Sequence, residues 1–234
     1  MKKKKFFTDR YYTHTSTQNP LKNKVRKWLA TWKTPHCFAK ALNQLASNSL
    51  VVDIGCGRGE LVQNIAAWRP DLKIIGVDWT EAHPVSGIEF IRGDAMSLPF
   101  EDEVADMVIC KHLIEHLPTP EKLFSEFRRI LRPTGLLYLE CPDVRGCYPF
   151  IFPKFYDDPT HIRPYTIQAL SRLNDLNGFV TLKKGRKRNL LVLIGGLFYS
   201  PFAWWFGDRA FKDGFFIELW GLYIFLLAKK VTTR

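Results

Sequence analysis

Leu50-Val51-Val52-Asp53-Ile54-Gly55-Cys56-Gly57-Arg58-Gly59-Glu60 decides the fold. The apolar run is β-branched and does not alternate, so it reads as a strand buried on both faces of a parallel sheet. Glycines at alternate positions then turn the chain out of the strand. A residue without Cβ reaches positive φ and lets a ligand lie directly on the peptide. Glu60 to Trp68 reads as a helix with Leu61, Ile65 and Trp68 on one face. Strand, glycine turn and helix N-terminus make a nucleotide-binding corner. The dinucleotide fingerprint G-x-G-x-x-G fails, because Glu60 stands at its third glycine. Asp53 and Glu60 put carboxylates where a phosphate site would favour positive charge. The ligand they suit carries a cation.

Working outward, a second apolar run, Lys73-Ile74-Ile75-Gly76-Val77-Asp78, ends in a carboxylate about twenty residues past the glycines, where a ribose-binding acid belongs. Trp79 follows it and can cover one face of a base. Ile88 to Arg92 reads as strand three, leading to Gly93-Asp94-Ala95. Ala105 to Cys110 reads as strand four, and Lys111-His112-Leu113-Ile114-Glu115-His116-Leu117 leaves it. Pro120 to Leu131 reads as a helix with Leu123, Phe124, Phe127, Ile130 and Leu131 inward. Arg132-Pro133-Thr134-Gly135 stops it before strand five, Leu136 to Pro142.

The segment D-I-G-C-G-R-G at 53–59 resembles motif I of the class I S-adenosylmethionine-dependent methyltransferases. Gly93-Asp94-Ala95, Glu115-His116-Leu117 and L-R-P-T-G-x-L at 131–137 are similar to further segments of that family. The resemblance covers about residues 48–143. It implies a Rossmann-like, doubly wound sheet of seven strands, mostly parallel, with an antiparallel last strand near Tyr223 to Ala228. It implies S-adenosylmethionine as cofactor, held by Asp53, Gly55, Gly57, Gly59, Asp78, Trp79, Asp94, Ala95, Lys111 and His112. Asp94 would meet the adenine amino group, the Ala95 backbone N–H a ring nitrogen, and residues 111 and 112 the methionine part.

On a helix, His112, Glu115 and His116 share one face, and such a face can bind a divalent metal. Some small-RNA and quinone-precursor methyltransferases place a metal on E-x-x-E-H here, but this chain has His112 where they have Glu. No metal is therefore assigned, and Glu115 and His116 are expected to brace the site through hydrogen bonds. Farther on, Asp157 to Thr166 resembles the D-x-T-H-x-R-x-x-T segment of a branch with many sugar- and glycan-cluster methyltransferases. His161 in that loop is the leading candidate for a base, with His116 beside it as a second catalytic residue, because imidazole titrates near neutrality. The alternative is that His161 and Arg163 tie the loop to Asp157 or Asp158. Thr166 caps a helix to about Leu176, and Phe179 to Lys184 reads as strand six.

Charge divides the 234-residue chain in three. Residues 1–33 hold ten Lys/Arg and one acid, residues 34–181 fourteen and nineteen, and residues 182–234 ten and three. The charge marks off a basic arm, 1–33, and the resemblance implies that 34–234 form a single methyltransferase domain. Basic ends point to an anionic surface, membrane or nucleic acid. Residues 190–206 carry no charge, but Pro201 interrupts a stretch already short for a span. This apolar, aromatic insert at about 190–218 reads as a peripheral membrane contact through 183–220, as a lid, or as a dimer interface. Five scattered cysteines with no paired spacing and no secretory leader fit a cytoplasmic protein, at most peripheral at the inner face of a membrane. The function expected is O-methylation of a hydroxyl or carboxyl on a sugar, a lipid-linked precursor or a small metabolite. An RNA methyltransferase is second, and a non-catalytic cofactor-binding scaffold third. The acceptor itself is not written in the sequence.

Overall fold

The computed structural model describes residues 35–80, 89–147, 155–187 and 222–232. Seven strands form one sheet: β1 Leu50–Ile54, β2 Lys73–Asp78, β3 Glu89–Arg92, β4 Ala105–Lys111, β5 Leu131–Pro142, β6 Phe179–Lys187 and β7 Tyr223–Lys230, in the order β3-β2-β1-β4-β5-β7-β6. The pairs among β1 to β5 are parallel, and β7 runs antiparallel between β5 and β6. The strand order reverses between β1 and β4. That leaves a crevice at the carboxyl ends of those two strands, where open α/β sheets bind ligands.

Alternation along β4 sorts the core. Met107 and Ile109 face one side, with Phe38, Ala41 and Leu42 of helix α1 (His36–Gln44) and with Tyr138. Val108 and Cys110 face the other, with Leu123, Phe124, Phe127 and Ile130 of helix α3 (Pro120–Ile130). All four of those α3 side chains are fully buried, as their spacing predicts. Each such side chain stabilises the fold by about 1.5–3 kcal/mol.

Helix α2, Glu60–Trp68, follows the glycine turn. Its fully buried residues are Val62 and Ile65; of the expected Leu61, Ile65 and Trp68, Leu61 packs half-buried against the core and Trp68 does not turn inward. Trp68 is the last residue of a nine-residue helix, beyond its contact with the sheet, and is 39% exposed. Strand β5 also begins earlier than expected. Leu131 already pairs with Ala105, and the register then jumps to Met107 with Leu136, so residues 132–135 form an irregularity inside the strand. Thr134, at φ 66°, sits in it. Helix α4, Ile167–Leu176, is capped by the Thr166 hydroxyl accepting from Ala169 N at 3.0 Å.

The basic arm, residues 148–154 and the insert at 190–218 lie outside the described residues. Among the described residues, no helix is long and apolar enough to cross a membrane.

Candidate active site

Gly55, Gly57 and Gly59 take φ of 77°, 54° and 72°, so the turn after β1 needs residues without side chains. A Cβ on Gly55 would also lie 3.1 Å from Leu113. The turn is fastened to β2 by Asp78, whose Oδ2 accepts from Gly57 N at 2.8 Å. Asp78 Oδ1 accepts from Thr80 N at 3.0 Å and from Thr80 Oγ1 at 2.8 Å. A carboxylate offers about four lone-pair sites, so one, on Oδ2, is left for a ligand hydroxyl. The sequence alone shows two acceptor oxygens for two hydroxyls.

A cleft of about 700 Å³ opens beside this turn, walled by residues that include Gly55, Asp78, Trp79, Asp94, Ala95, Lys111, His112, His116 and Thr160. Asp94 Oδ1 accepts from Met96 N at 2.9 Å, which orients the carboxylate and leaves its other oxygen for a donor. Trp79 is 41% exposed at the rim. Of the other expected cofactor residues, Gly57 acts through Asp78, Gly59 starts α2, and Asp53 is buried in β1. Burial raises the Asp53 carboxyl to about 7, with Lys111 pulling it down and Asp78 pushing it up. A cation lying near Asp53 would favour its ionised form. A nucleoside that carries a cation and no phosphate fits these groups: a hydroxyl on Asp78, an amino group on Asp94, a ring beside Trp79.

The other wall is built from the ends of β4 and β5. His112 has a left-handed backbone, φ 52°, and only Ile114–His116 forms a short 3-10 turn. The expected helix carrying His112, Glu115 and His116 on one face is therefore absent. The chain must leave β4 sharply, with His112 N donating to Glu140 O at 2.8 Å. The His112 ring turns to Glu140, Nε2 to Oε1 3.3 Å, and lies 3.5 Å by Nδ1 from Glu115 Oε1. Burial alone would lower its pKa, but Glu115 and Glu140 outweigh that and raise it.

Glu140 is a hub that the sequence reading did not single out. It is 1% exposed and meets Lys111 at 3.4 Å, Lys187 at 2.9 Å and the Tyr138 hydroxyl at 2.9 Å. Burial alone would raise its carboxyl. Lys111, His112 and Lys187 outweigh it and hold the group well below the usual range. A lone carboxylate at the end of an apolar strand was the available signal. Lys187 turns inward to Glu140 at 2.9 Å, and Arg186, which stays exposed, pairs with the buried Asp143 at 2.8 Å.

The loop after residue 155 completes the site. Glu115 O accepts from Ile162 N at 2.8 Å and Arg163 N at 3.2 Å, which clamps the loop to the 3-10 turn. The His116 and His161 rings then lie 4.7 Å apart. Thr160 Oγ1 donates its one proton to Asp158 Oδ1 at 2.5 Å, so at 2.9 Å from His116 Nδ1 it can only accept. His161 Nδ1 lies 2.6 Å from the Phe155 carbonyl, an acceptor only, and so carries a proton too. In both rings the lone pair is on Nε2 when the ring is neutral. Burial lowers the His116 pKa, against the opposing charge of Glu115. His116 and Thr160 wall the cleft, while His161 stands behind them, its ring stacked on Phe155 at 4.4 Å. Asp158 and Thr160 hold the His116 ring, and the Phe155 carbonyl holds the His161 ring, through hydrogen bonds that D-x-T-H spacing alone does not reveal.

A family model described as a methyltransferase domain matches residues 52–139. The fatty-acid O-methyltransferase of Mycolicibacterium smegmatis is 33% identical over 151 residues, 61% of this chain and 52% of that protein. The sterol 24-C-methyltransferase of Debaryomyces hansenii is 26% identical over 65% of this chain and 38% of its own length. A demethylmenaquinone methyltransferase of Roseiflexus castenholzii is 30% identical over 44% of this chain and 46% of its own. The chain thus spans about half or less of the length of these relatives. Among solved structures, phosphoethanolamine N-methyltransferase 2 of Haemonchus contortus, in complex with S-adenosyl-L-methionine, matches with a TM-score of 0.65 at 17% identity, covering 84% of this chain and 52% of that one. The [4+2]-cyclase SpnF matches with 0.59 at 19% identity, over 85% and 81%. These likenesses show the fold alone. Residues 52–139 thus match a methyltransferase domain, and the seven-stranded fold with its glycine-carboxylate cleft is that of the class I S-adenosylmethionine-dependent methyltransferases, whose cofactor is S-adenosylmethionine.

Proposed function

We propose that the protein methylates an oxygen, a hydroxyl or carboxyl, of a lipid-linked precursor, a sugar or a small metabolite. The observation that carries the reading is one cleft walled both by Asp78 and Asp94 and by His116 and Thr160. S-adenosylmethionine supplies a methyl group activated by its sulfonium. The chain's own residues bind, orient and dry the site. Asp78 takes a ribose hydroxyl, Asp94 and Ala95 the adenine edge, and ionised Asp53 favours the cationic end. We assign removal of the acceptor's proton to the Glu115, His116 and His161 cluster, of which His116 walls the cleft. Alignment in a dry site supplies much of the rate, and proton removal by a positioned group a further 10²–10⁴-fold or so.

The names of the relatives, a fatty-acid, a sterol and a menaquinone-precursor methyltransferase, support an apolar acceptor within that class. Such an acceptor also suits the uncharged stretch 190–206, as a lid over it or as a peripheral membrane contact. RNA methylation is the second reading, favoured by the ten basic residues of 1–33. Methyl transfer from labelled S-adenosylmethionine to separate lipid, glycan and RNA fractions tests this. Label in the lipid or glycan fraction supports the proposal. Label in RNA alone, lost steeply with rising salt, replaces it with the second reading.

A further inference from the structure

We infer that Glu115, His116 and His161 form a binding site for a divalent first-row transition metal at the acceptor end of the cleft. The inference rests on the methyltransferase reading only for its use, not for its existence. One ligand atom from each of the three residues lies within 4.8 Å of the others. The set differs from the one that helical spacing suggests. His112 leaves for Glu140, and His161 arrives from a loop forty-five residues downstream of His116.

Three features point to a cation. Glu115 is fully buried, and neither of its carboxylate oxygens has a hydrogen-bond partner. Its ion pair with His112, at 3.5 Å, is too long to serve as one. Burying a carboxylate that way is costly unless a charge completes it. Next, Thr160 and the Phe155 carbonyl fix Nδ1 as the protonated nitrogen in the two rings, which makes Nε2 the ligating atom in each. A hydrogen bond on the second nitrogen is how ligating histidines are usually oriented. Last, the backbone of Ile162 and Arg163 is bonded to the carbonyl of Glu115 itself, so the downstream ligand is held against the upstream one by the fold.

Two imidazoles and one carboxylate select Zn²⁺, Mn²⁺ or a similar ion over Mg²⁺ and Ca²⁺, which take oxygen ligands. Bonds of about 2.1 Å place tetrahedral donors about 3.4 Å apart, so binding draws the three side chains together slightly. Three protein ligands leave a position open, and His116 walls the cleft. A hydroxyl reaching that position loses its proton more easily, because a bound cation lowers the pKa of an oxygen acid beside it. The proton passes to water, and the metal changes neither charge nor oxidation state.

The test is titration of the full chain with Mn²⁺, followed by electron paramagnetic resonance, with and without S-adenosylhomocysteine. Mn²⁺ is the probe because it does not favour the five cysteines. One ion per chain is expected. Glu115→Gln and His161→Ala each lower the affinity by about 100-fold or more, and Thr160→Val by about 10–100-fold. All three keep the wild-type affinity for S-adenosylhomocysteine, which shows that they fold. Zn²⁺ competes for the same site and Mg²⁺ does not. Wild-type protein that binds S-adenosylhomocysteine but no Mn²⁺, or Mn²⁺ binding unchanged in Glu115→Gln and His161→Ala, overturns the metal site and leaves the methyltransferase reading standing. Mn²⁺ binding without S-adenosylhomocysteine binding does the reverse.

Discussion

The two walls of the cleft are built differently. The cofactor wall lies at the ends of β1, β2 and β3, and its polar groups are satisfied by near neighbours: Gly57 by Asp78, Asp78 by Thr80, Asp94 by Met96. The acceptor wall joins the end of β4, the end of β5 and a loop beyond residue 155. There the buried Glu140 is crowded by cations, while the buried Glu115 has no hydrogen bond to either oxygen. Each carboxylate of the first wall is oriented by a neighbouring N–H and keeps an acceptor position open, whereas Glu115 of the second is buried with no such orienting bond. In the proposed reading, the first wall recognises the cofactor and the second takes up the acceptor.

Breaking the acceptor wall should have the largest effect on turnover and almost none on the cofactor. His161→Ala is expected to lower methyl transfer by about two to four orders of magnitude, with S-adenosylhomocysteine affinity within about twofold of wild type. Single-turnover kinetics beside calorimetry check this. A variant as active as wild type with an unaltered pH profile would make His161 a loop-holding residue.

Breaking the cofactor wall reverses the pattern. Asp78→Ala removes a charged acceptor from the ribose and from Gly57 N–H, and should weaken S-adenosylhomocysteine binding by about 1.5–3 kcal/mol. Gly55→Ala is expected to cost about 1–3 kcal/mol, from a side chain at φ 77° pressed on Leu113. Chemical denaturation and calorimetry read the two parts of that loss.

The legibility of the two walls follows the same division. The glycine turn, Asp78 and Asp94 are local patterns, each within one strand and its exit. The sequence therefore placed them, together with a seven-stranded, mostly parallel sheet with an antiparallel last strand and the inward face of α3. Its failures are long-range. A helix was expected over His112 to His116, because the spacing i, i+3, i+4 is helical. The backbone instead turns left-handed at His112, where the His112 N–H meets the Glu140 carbonyl. Glu140 looked like one more strand residue until Lys111, His112 and Lys187 met around it. The pairing of His116 with His161 depends on a loop clamp that no spacing encodes.

A smaller effect sharpens the comparison through pH. The Asp53 carboxyl is raised by burial from 3.8 to about 7. Between those values the folded chain holds a proton that the unfolded chain has released. Its contribution to stability is therefore full below about 4 and declines as pH rises to about 7. Tm of the wild type minus that of Asp53→Asn should fall across that window without ligand. Cofactor binding should strengthen as pH rises through about 7, as Asp53 ionises. A difference in Tm that stays flat with pH would remove Asp53 from this role. The smallest expected effect lies outside both walls: Thr166→Ala, losing the cap on α4, should cost about 1 kcal/mol in denaturation and leave ligand binding unchanged.

The most direct measurement is a crystal structure of the chain with S-adenosylhomocysteine. The account predicts the adenosine in the cleft beside the glycine turn, a ribose hydroxyl within hydrogen-bonding distance of Asp78 Oδ2, and the adenine amino group on Asp94 with the ring against Trp79. The homocysteine sulfur should face the His116 and Thr160 wall. Adenosine bound elsewhere, or bound in the cleft with Asp78 making only its contacts to Gly57 and Thr80, would contradict it.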